Sequence, residues 1–102
     1  MSVIVIIKFP GARIERFREV YDRNVEVMKG ISAEGRSKGA LHHQFVEDEN
    51  GEVMVIDEWG STEEFEGFFG AQEDIKKVVD EMGLTGQPTT VSYQAVDTPD
   101  RF

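Results

Sequence analysis

The chain has 102 residues and a formal net charge of −9, because 20 Asp and Glu outnumber 11 Lys and Arg. This length corresponds to one domain. The negative charge argues against a nucleic-acid partner, since binding to phosphates requires a basic surface. The sequence contains no cysteine, which excludes disulfides, thiolate zinc sites and cysteine nucleophiles and suits a cytoplasmic protein.

The first predicted elements are a strand and an amphipathic helix. The apolar residues include 12 Val and 7 Ile but only 2 Leu, which favours a sheet. Ser2–Phe9 is a nearly continuous apolar run ended by Pro10-Gly11, which is typical of a strand covered on both faces. The run is too short for a signal peptide or a membrane span, so we expect no membrane partner. From Ala12 onwards apolar residues recur every three or four positions and predict a helix, followed by a broken turn or loop at Gly30–Gly39.

The middle of the chain predicts a β-hairpin. Ala40–Glu47 and Glu52–Trp59 have strand-like sequences and flank Asn50-Gly51. Asn-Gly tolerates a positive φ at both central positions of a turn, so this pair predicts a two-residue turn between the strands.

The last predicted elements are a second helix and a fourth strand, Thr89–Val96. Ser61 is placed to cap the helix, with Glu64 three residues later completing a capping box. Gly70 is expected to bend or break the helix and Gly83 to end it. An apolar stripe along the helix is assigned to the core and not to a cofactor site, and it includes Phe65, Phe68, Phe69 and Met82.

The order strand, helix, strand, strand, helix, strand predicts an α+β, ferredoxin-like βαββαβ fold. This is a four-stranded antiparallel sheet with both helices on one face. We expect residues 1–96 to form this single domain and residues 97–102 to be a polar tail. The first strand is apolar on both sides, whereas the helices cover only one. A second copy is therefore expected to cover the other side, giving a homodimer joined through its sheet faces.

Three short segments together resemble a known protein family. They are Gly39-Ala40-Leu41 at the start of the second strand, Asn50-Gly51 in the hairpin, and Asp57-Glu58-Trp59-Gly60-Ser61 followed by Glu63, Glu64 and Phe65. The chain resembles the dimeric α/β-barrel superfamily, and most of all its antibiotic-biosynthesis-monooxygenase-like branch. That branch includes cofactor-free oxygenases of aromatic polyketides, haem-degrading enzymes, polyketide cyclases and lactone isomerases, and fold alone does not choose between them.

The resemblance implies a small aromatic or polyketide-type substrate, bound between sheet and helices without a cofactor. The cofactor-free oxygenases often carry a Trp near the end of the third strand, and Trp59 matches that position. The haem-degrading members use an Asn on the first strand and a Trp and a His on the second helix. Here the first strand reads Val-Ile-Val-Ile-Ile and the second helix has no His, so haem degradation is not expected.

The sequence has two histidines, His42 and His43, which are adjacent on a predicted strand. Neighbouring strand residues point to opposite faces, so the two cannot bind one metal ion together, and no metal site is predicted. The two-residue turn places His42 opposite Trp59 and Gln44 opposite Asp57, so these four residues share one wall of a pocket. In that pocket we expect His42 to act as general base, Asp57 to orient it, and Trp59 to stack on a flat aromatic ligand.

The opposite face of the hairpin pairs His43 with Glu58, either as a charge-assisted pair or as a dimer contact. Tyr21 and Asn24 on the first helix and Tyr93 on the last strand are further candidate ligand contacts. All of these residues also have a purely structural interpretation, with the histidines as hydrogen-bonded strand residues and the tryptophan as part of the core.

Three functions remain open at this point. The first is a cofactor-independent monooxygenase, in which a base removes an acidic proton and the carbanion reacts with oxygen in a dry pocket. The second is a non-catalytic dimeric module that binds a small ligand or a protein partner. Its charge asymmetry would then matter most, with 8 Lys/Arg against 5 Asp/Glu in residues 1–38 and 3 against 15 in residues 39–102. The third is an isomerase or cyclase that works by proton transfer in the same pocket.

Overall fold

In the computed structural model, which describes residues 2–102, the chain forms a four-stranded antiparallel sheet and four helices. The strands are β1 (Val3–Arg13), β2 (Ala40–Glu47), β3 (Glu52–Trp59) and β4 (Thr89–Gln94), and the helices are α1 (Ile14–Arg23), α2 (Val25–Ser37), α3 (Thr62–Ala71) and α4 (Glu73–Glu81). The strand order across the sheet is β2-β3-β1-β4, so the predicted ferredoxin-like α+β fold is confirmed. Within residues 2–102 no helix has both the length and the apolar character needed to cross a membrane.

The central strand β1 buries one side against the helices. Val3, Val5 and Ile7 are almost fully buried, whereas Ile4 and Ile6, which point the other way, remain partly exposed. Since successive strand residues face opposite sides, the helices cover one face of the sheet and leave the other face of this single chain open.

The ends of β1 and β4 differ from the prediction. β1 continues past Pro10-Gly11 to Arg13 through an irregularity in its pairing with β3. The Pro10 carbonyl accepts a 2.8 Å hydrogen bond from the Thr85 backbone N–H, so the turn signal redirects the strand without ending it. β4 ends at Gln94, two residues before the predicted Val96.

The first predicted helix consists of two helices that meet at Asn24. This residue has φ −124° and ψ 24°, and its side-chain amide donates hydrogen bonds to the Val20 carbonyl (2.8 Å) and to Glu81 (3.3 Å). The predicted loop at Gly30–Gly39 is wrong, because α2 stays helical to Ser37. A glycine costs roughly 1 kcal/mol in a helix relative to alanine, and the packing of α2 over the sheet outweighs this local preference.

The second predicted helix is likewise divided, at Gln72, two residues after the predicted Gly70. The Ser61 hydroxyl accepts a 3.1 Å bond from the Glu64 backbone N–H, so the predicted N-cap is confirmed. Gln72 caps α4 with its side-chain oxygen, and its side-chain N–H donates a 2.6 Å bond to Glu34 of α2. This bond ties the junction of α3 and α4 to α2.

The turn between β2 and β3 has three residues instead of the predicted two. The Asp48 N–H donates to the Glu52 carbonyl at 2.9 Å, and Gly51 lies between them with φ +77°. The Asp48 carboxylate holds the turn by accepting bonds from the backbone N–H groups of Asn50 (2.9 Å) and Glu52 (3.0 Å). A tight turn followed by a glycine in the left-handed region is a common three-residue hairpin.

The longer turn shifts the strand register by one position relative to the prediction. His43 pairs with Asp57, and His42 pairs with Glu58. A one-residue shift exchanges the two faces of a strand. The predicted grouping of His42 with Asp57 is therefore wrong, and so is the predicted pairing of His43 with Glu58.

Gly39 joins α2 to β2 with φ +122°, a conformation that disfavours residues with a Cβ atom. A Cβ at this position would overlap the Glu64 carboxylate, which accepts a 3.1 Å bond from the Ser61 hydroxyl. We expect Gly39→Ala to lower the free energy of unfolding by about 1–3 kcal/mol, because the backbone is strained and the carboxylate is displaced.

The matched control for this substitution is Gly30→Ala. Gly30 is exposed on α2, and a Cβ there meets no atom within 4 Å, so alanine should raise the free energy of unfolding by about 0.5–1 kcal/mol. Urea denaturation followed by the fluorescence of Trp59 measures both changes. If the two variants were equally stable, the backbone conformation at position 39 would not require a glycine.

Candidate functional site

A cavity of about 80 Å³ lies between the sheet and the helices, and we call it the inner cavity. Aromatic rings from three strands and from α3 form much of its lining. The Trp59 ring lies 5.3 Å from Phe68 and 5.9 Å from Phe65, measured between ring centroids. The aromatic residues that line the inner cavity are Phe9, Phe45, Trp59, Phe65, Phe68 and Phe69. Besides the indole N–H of Trp59, the polar side chains in the lining are Ser32, His43 and Asp57.

Among residues 2–102, Asp57 is the one charged residue that is buried, with 6% of its surface exposed. Its Oδ1 lies 2.8 Å from His43 Nδ1, and its Oδ2 accepts a 3.1 Å bond from the Trp59 indole N–H. Each oxygen of the carboxylate therefore has a partner. This is the condition under which a carboxylate is tolerated in apolar surroundings.

The contact with Asp57 determines which nitrogen of His43 can act as a base. An ionised carboxylate only accepts hydrogen bonds, so in the neutral imidazole Nδ1 carries the proton and Nε2 keeps its lone pair. The His43 side chain is 38% exposed, and its ring packs edge-on against Phe45 with centroids 5.2 Å apart. The His43 ring is thus held between Asp57 and Phe45 in the wall of the inner cavity.

Strand geometry alone brings these three residues together. Asp57 and Trp59 are two positions apart on β3 and so face the same side, and His43 lies directly opposite Asp57 on β2. Directly opposed residues have Cβ atoms about 4.5–5.5 Å apart, a separation that a carboxylate and an imidazole can bridge. In the part of the chain that the structure describes, no group of three or more His, Asp or Glu is arranged to hold a metal ion.

A larger groove of about 730 Å³ lies on the surface between α2 and β2, and we call it the outer groove. Four residues, Met28, Ser32, His43 and Phe45, line both the groove and the inner cavity. The two spaces therefore adjoin through a common wall. The other residues that line the outer groove are Tyr21, Lys29, Ala33, Arg36, Ser37 and Gln44.

Tyr21, Gln44 and Asn24 were predicted to contact a ligand, and the structure places them outside the inner cavity. Tyr21 and Gln44 border the outer groove, and the Tyr21 ring packs against Phe45 with centroids 6.3 Å apart. The Asn24 amide is occupied at the junction of α1 and α2, where it bonds to the Val20 carbonyl.

His42 and Tyr93, two further predicted site residues, lie on the open face of the sheet. His42 is paired with Glu58, and Tyr93 is 57% exposed opposite β1. Glu58 accepts hydrogen bonds from Arg101 (2.7 Å) and from the Ser2 hydroxyl (2.5 Å). The structure therefore does not bring His42, Tyr93 or Glu58 to the inner cavity.

Sequence reasoning missed Ser32 and Gly35 of α2, which both line the inner cavity. A Cβ on Gly35 would lie 3.4 Å from the Phe68 ring and 3.6 Å from Trp59, so α2 passes very close to these rings. The available signal was spacing, because Met28, Ser32 and Gly35 follow one another at intervals of four and three residues on one helical face. This spacing has meaning only in a helix, and the sequence predicted a loop for residues 30–39.

Solved structures with the same architecture include several oxygenases. One is the monooxygenase from the gene ActVA-Orf6 of Streptomyces coelicolor in complex with nanaomycin D, with a TM-score of 0.69 and 18% identity over 97% of this chain and 93% of that one. Another is SnoaB, a cofactor-independent oxygenase from Streptomyces nogalater, with a TM-score of 0.62 and 14% identity over 98% and 97% of the two chains. The chain has the antibiotic-biosynthesis-monooxygenase-like fold.

The chain is also similar in structure to Rv0793 from Mycobacterium tuberculosis, with a TM-score of 0.62 and 14% identity over 98% of this chain and 100% of that one. No protein-family model matches the sequence, and no curated protein matches it. At such low identity the likeness establishes the architecture, and the chemistry has to be derived from the site.

Asp57→Asn tests whether the carboxylate sets the tautomer of His43. The asparagine oxygen can accept the bond from the Trp59 N–H, which leaves the NH₂ group facing His43. That donor requires an unprotonated Nδ1, so we expect neutral His43 to change from the Nδ1–H form to the Nε2–H form. Two-dimensional ¹H–¹⁵N spectra of the imidazole rings distinguish the two forms.

The internal control in these spectra is His42, which faces away from Asp57. Its signals should be the same in the wild type and in Asp57→Asn. An Nε2–H tautomer of His43 in the wild-type protein would contradict the assigned hydrogen bond.

Proposed function

We propose that this protein is an enzyme resembling the cofactor-independent monooxygenases and that it acts on a small aromatic or polyketide-type substrate in the inner cavity. One observation carries the proposal: the imidazole of His43, oriented by the buried Asp57, lies in the wall of a largely apolar cavity. His43 takes the role of base that the sequence suggested for His42, because His43 is the histidine in contact with Asp57. The oxygenases among the similar folds support this choice of chemistry.

The proposed reaction begins when His43 Nε2 removes an acidic C–H proton from an electron-rich aromatic compound. Asp57 stabilises the resulting imidazolium through its charge and its hydrogen bond with Nδ1–H. The carbanion transfers electrons to molecular oxygen, a C–O bond forms, and the peroxide anion takes the proton back from the His43 imidazolium. The hydroperoxide then loses water and leaves a carbonyl group. One substrate and one oxygen molecule thus give one quinone-type product and one water, with oxygen as the oxidant.

The surroundings of His43 suit a carbanion intermediate. The aromatic and aliphatic walls of the inner cavity offer few hydrogen-bond partners to water, which would otherwise protonate the carbanion before oxygen reacts. The rings of Trp59 and Phe68 offer flat surfaces for stacking. At about 80 Å³, the inner cavity is smaller than typical ligand pockets of about 300–1,000 Å³. It therefore holds only part of a fused-ring substrate, and the remainder extends towards the outer groove.

Oxygen uptake with dithranol, a dihydroxyanthrone with an acidic methylene group, tests the proposal. The wild-type protein should consume oxygen faster than the protein-free solution and form the corresponding anthraquinone. His43→Ala and Asp57→Asn should lower the rate by about 10²–10⁴-fold, because the base is removed or held in the wrong tautomer. His42→Ala is the matched control and should retain the wild-type rate, because His42 lies on the other face of β2.

A wild-type rate in His43→Ala would contradict the assignment of the base. Exchange of the methylene protons for deuterium without oxygen uptake would instead favour an isomerase or cyclase that uses the same residues for proton transfer. Binding of aromatic compounds with neither reaction would favour the non-catalytic binding module.

We also propose that two copies of the chain associate through their open sheet faces. Ile56, Ile6 and Val91 are directly paired across β3, β1 and β4 and form an apolar row on this face. At the edge of the row, Val91 is 41% exposed and Tyr93 is 57% exposed. An exposed apolar patch that spans several strands usually marks an interface, and a twofold arrangement buries the same patch in both copies.

Light scattering at micromolar concentration should give the mass of a dimer. Ile56→Lys introduces a charge into the apolar row and should give a folded monomer, because this side chain points away from the core. Val27→Lys is the matched control and should stay dimeric, since Val27 is 39% exposed on α2. A monomeric wild type, or an Ile56→Lys variant that remains a dimer, would refute the sheet-face contact.

A further inference from the structure

We infer that the outer groove is a carboxylate-binding subsite and that the ligand of this protein is an organic acid. Its aromatic or apolar body lies in the inner cavity, and its carboxylate lies in the outer groove between Lys29 and Arg36. The inference rests on the proposed function only in taking the inner cavity as the place where the body of the substrate binds.

The charge of the outer groove is opposite to that of most of the protein. The chain has 20 acidic and 11 basic residues, yet Lys29, Arg36 and His43 line the groove and no Asp or Glu does. Lys29 lies 3.9 Å from Glu26 on the exposed surface of α2, and exposed pairs of this kind contribute little. Arg36 forms no ion pair with any residue of the described chain, 2–102. Both cations are therefore available to an anion.

The helical spacing places the two cations along the groove. Lys29, Ser32 and Arg36 are three and four positions apart and so lie on one face of α2. Ser32 lines both the inner cavity and the outer groove, whereas Lys29 and Arg36 line the groove alone. The two cations therefore lie outside the common wall, one on each side of Ser32 along the helix.

The polarity on the two sides of the common wall determines the class of ligand. No Lys or Arg lines the inner cavity, so an anionic group there would lose its hydration without gaining a counter-charge. The outer groove supplies that counter-charge, while Phe45 and Met28 provide apolar contact at the wall itself. A molecule that is apolar at one end and carboxylated at the other matches both sides. A peptide or a simple inorganic anion matches only the groove.

The carboxylate would also position the reacting carbon. His43 lies in the common wall, so an acid anchored by Lys29 and Arg36 holds the carbon next to its carboxylated arm close to the imidazole. Such anchoring turns the encounter of the base with the C–H group into an intramolecular event. The proposed dimer contact is made by Ile56, Ile6 and Val91, and none of these residues lines the outer groove.

Binding of two probes of the same shape tests the inference. The acid is 3-phenylpropionate, and its uncharged counterpart is 3-phenylpropanamide. Trp59 is the single tryptophan and lines the inner cavity, so its fluorescence reports entry of the phenyl ring, and calorimetry gives the affinity. We expect the acid to bind about tenfold or more tightly than the amide to the wild type at low ionic strength.

The double variant Lys29→Gln/Arg36→Gln should bind the two probes equally, because the charge that favours the acid is gone. The matched control is Arg18→Gln/Lys76→Gln, which removes the same charge outside the outer groove and should keep the preference. The charge-conserving variant Lys29→Arg/Arg36→Lys should keep it too. Similar binding of the amide by all four proteins would show that the inner cavity is intact.

Equal affinity of the wild type for acid and amide, or no binding of either probe, would overturn the inference. So would an unchanged preference in the double variant. Acetate that binds as well as 3-phenylpropionate would indicate plain counter-ion binding and would also overturn it. Selective binding of the acid by a protein that consumes no oxygen would support the carboxylate subsite and contradict the proposed oxygenase activity. Oxygen uptake that depends on His43, without a preference for acids, would support the proposed oxygenase activity and contradict the carboxylate subsite.

Discussion

The pairing register between β2 and β3 is the constraint on which the rest of the site depends. Asp48 and Gly51 hold the connecting turn in a form that places His43 opposite Asp57. The same register directs Phe45 towards the helices, where its ring lies 4.7 Å from that of Phe17. Hydrophobic packing and the polar network thus favour one alignment. A slip by one residue would expose Phe45 and break the contact of His43 with Asp57 at the same time.

Stability alone does not account for the burial of Asp57. Removing a carboxylate and an imidazole from water is costly, and apolar residues of similar volume often stabilise a core equally well or better. Here the carboxylate fixes the orientation of His43 beside the inner cavity, as the proposed proton transfer requires. The indole N–H of Trp59 holds the second oxygen, so the orientation of the carboxylate is fixed from both sides.

Most of the fold could be predicted because its signals are local. The apolar run of β1, the helical periods and the cap at Ser61 each depend on a few neighbouring residues. The hairpin register was different, because Asn50-Gly51 suits the two central positions of a short turn and also the last two of a three-residue turn. Both readings were compatible with the sequence, and that single ambiguity decided which histidine joins Asp57.

The extent of α2 could not be predicted from local preferences. Gly30 and Gly35 lower helix propensity, and a reading of neighbouring residues favours a loop. The structure shows that Gly35 is buried at a close contact between α2 and the aromatic rings of the cavity. That contact joins residues far apart in the sequence, so only tertiary packing reveals why the glycine is accommodated.

Gly35 also governs how much room the cavity offers. A single methyl group at this position would touch Phe68 and Trp59 at 3.4–3.6 Å, and a longer side chain would occupy the space between helix and rings. The lack of a side chain at this one position therefore sets the width of the inner cavity between α2 and the rings.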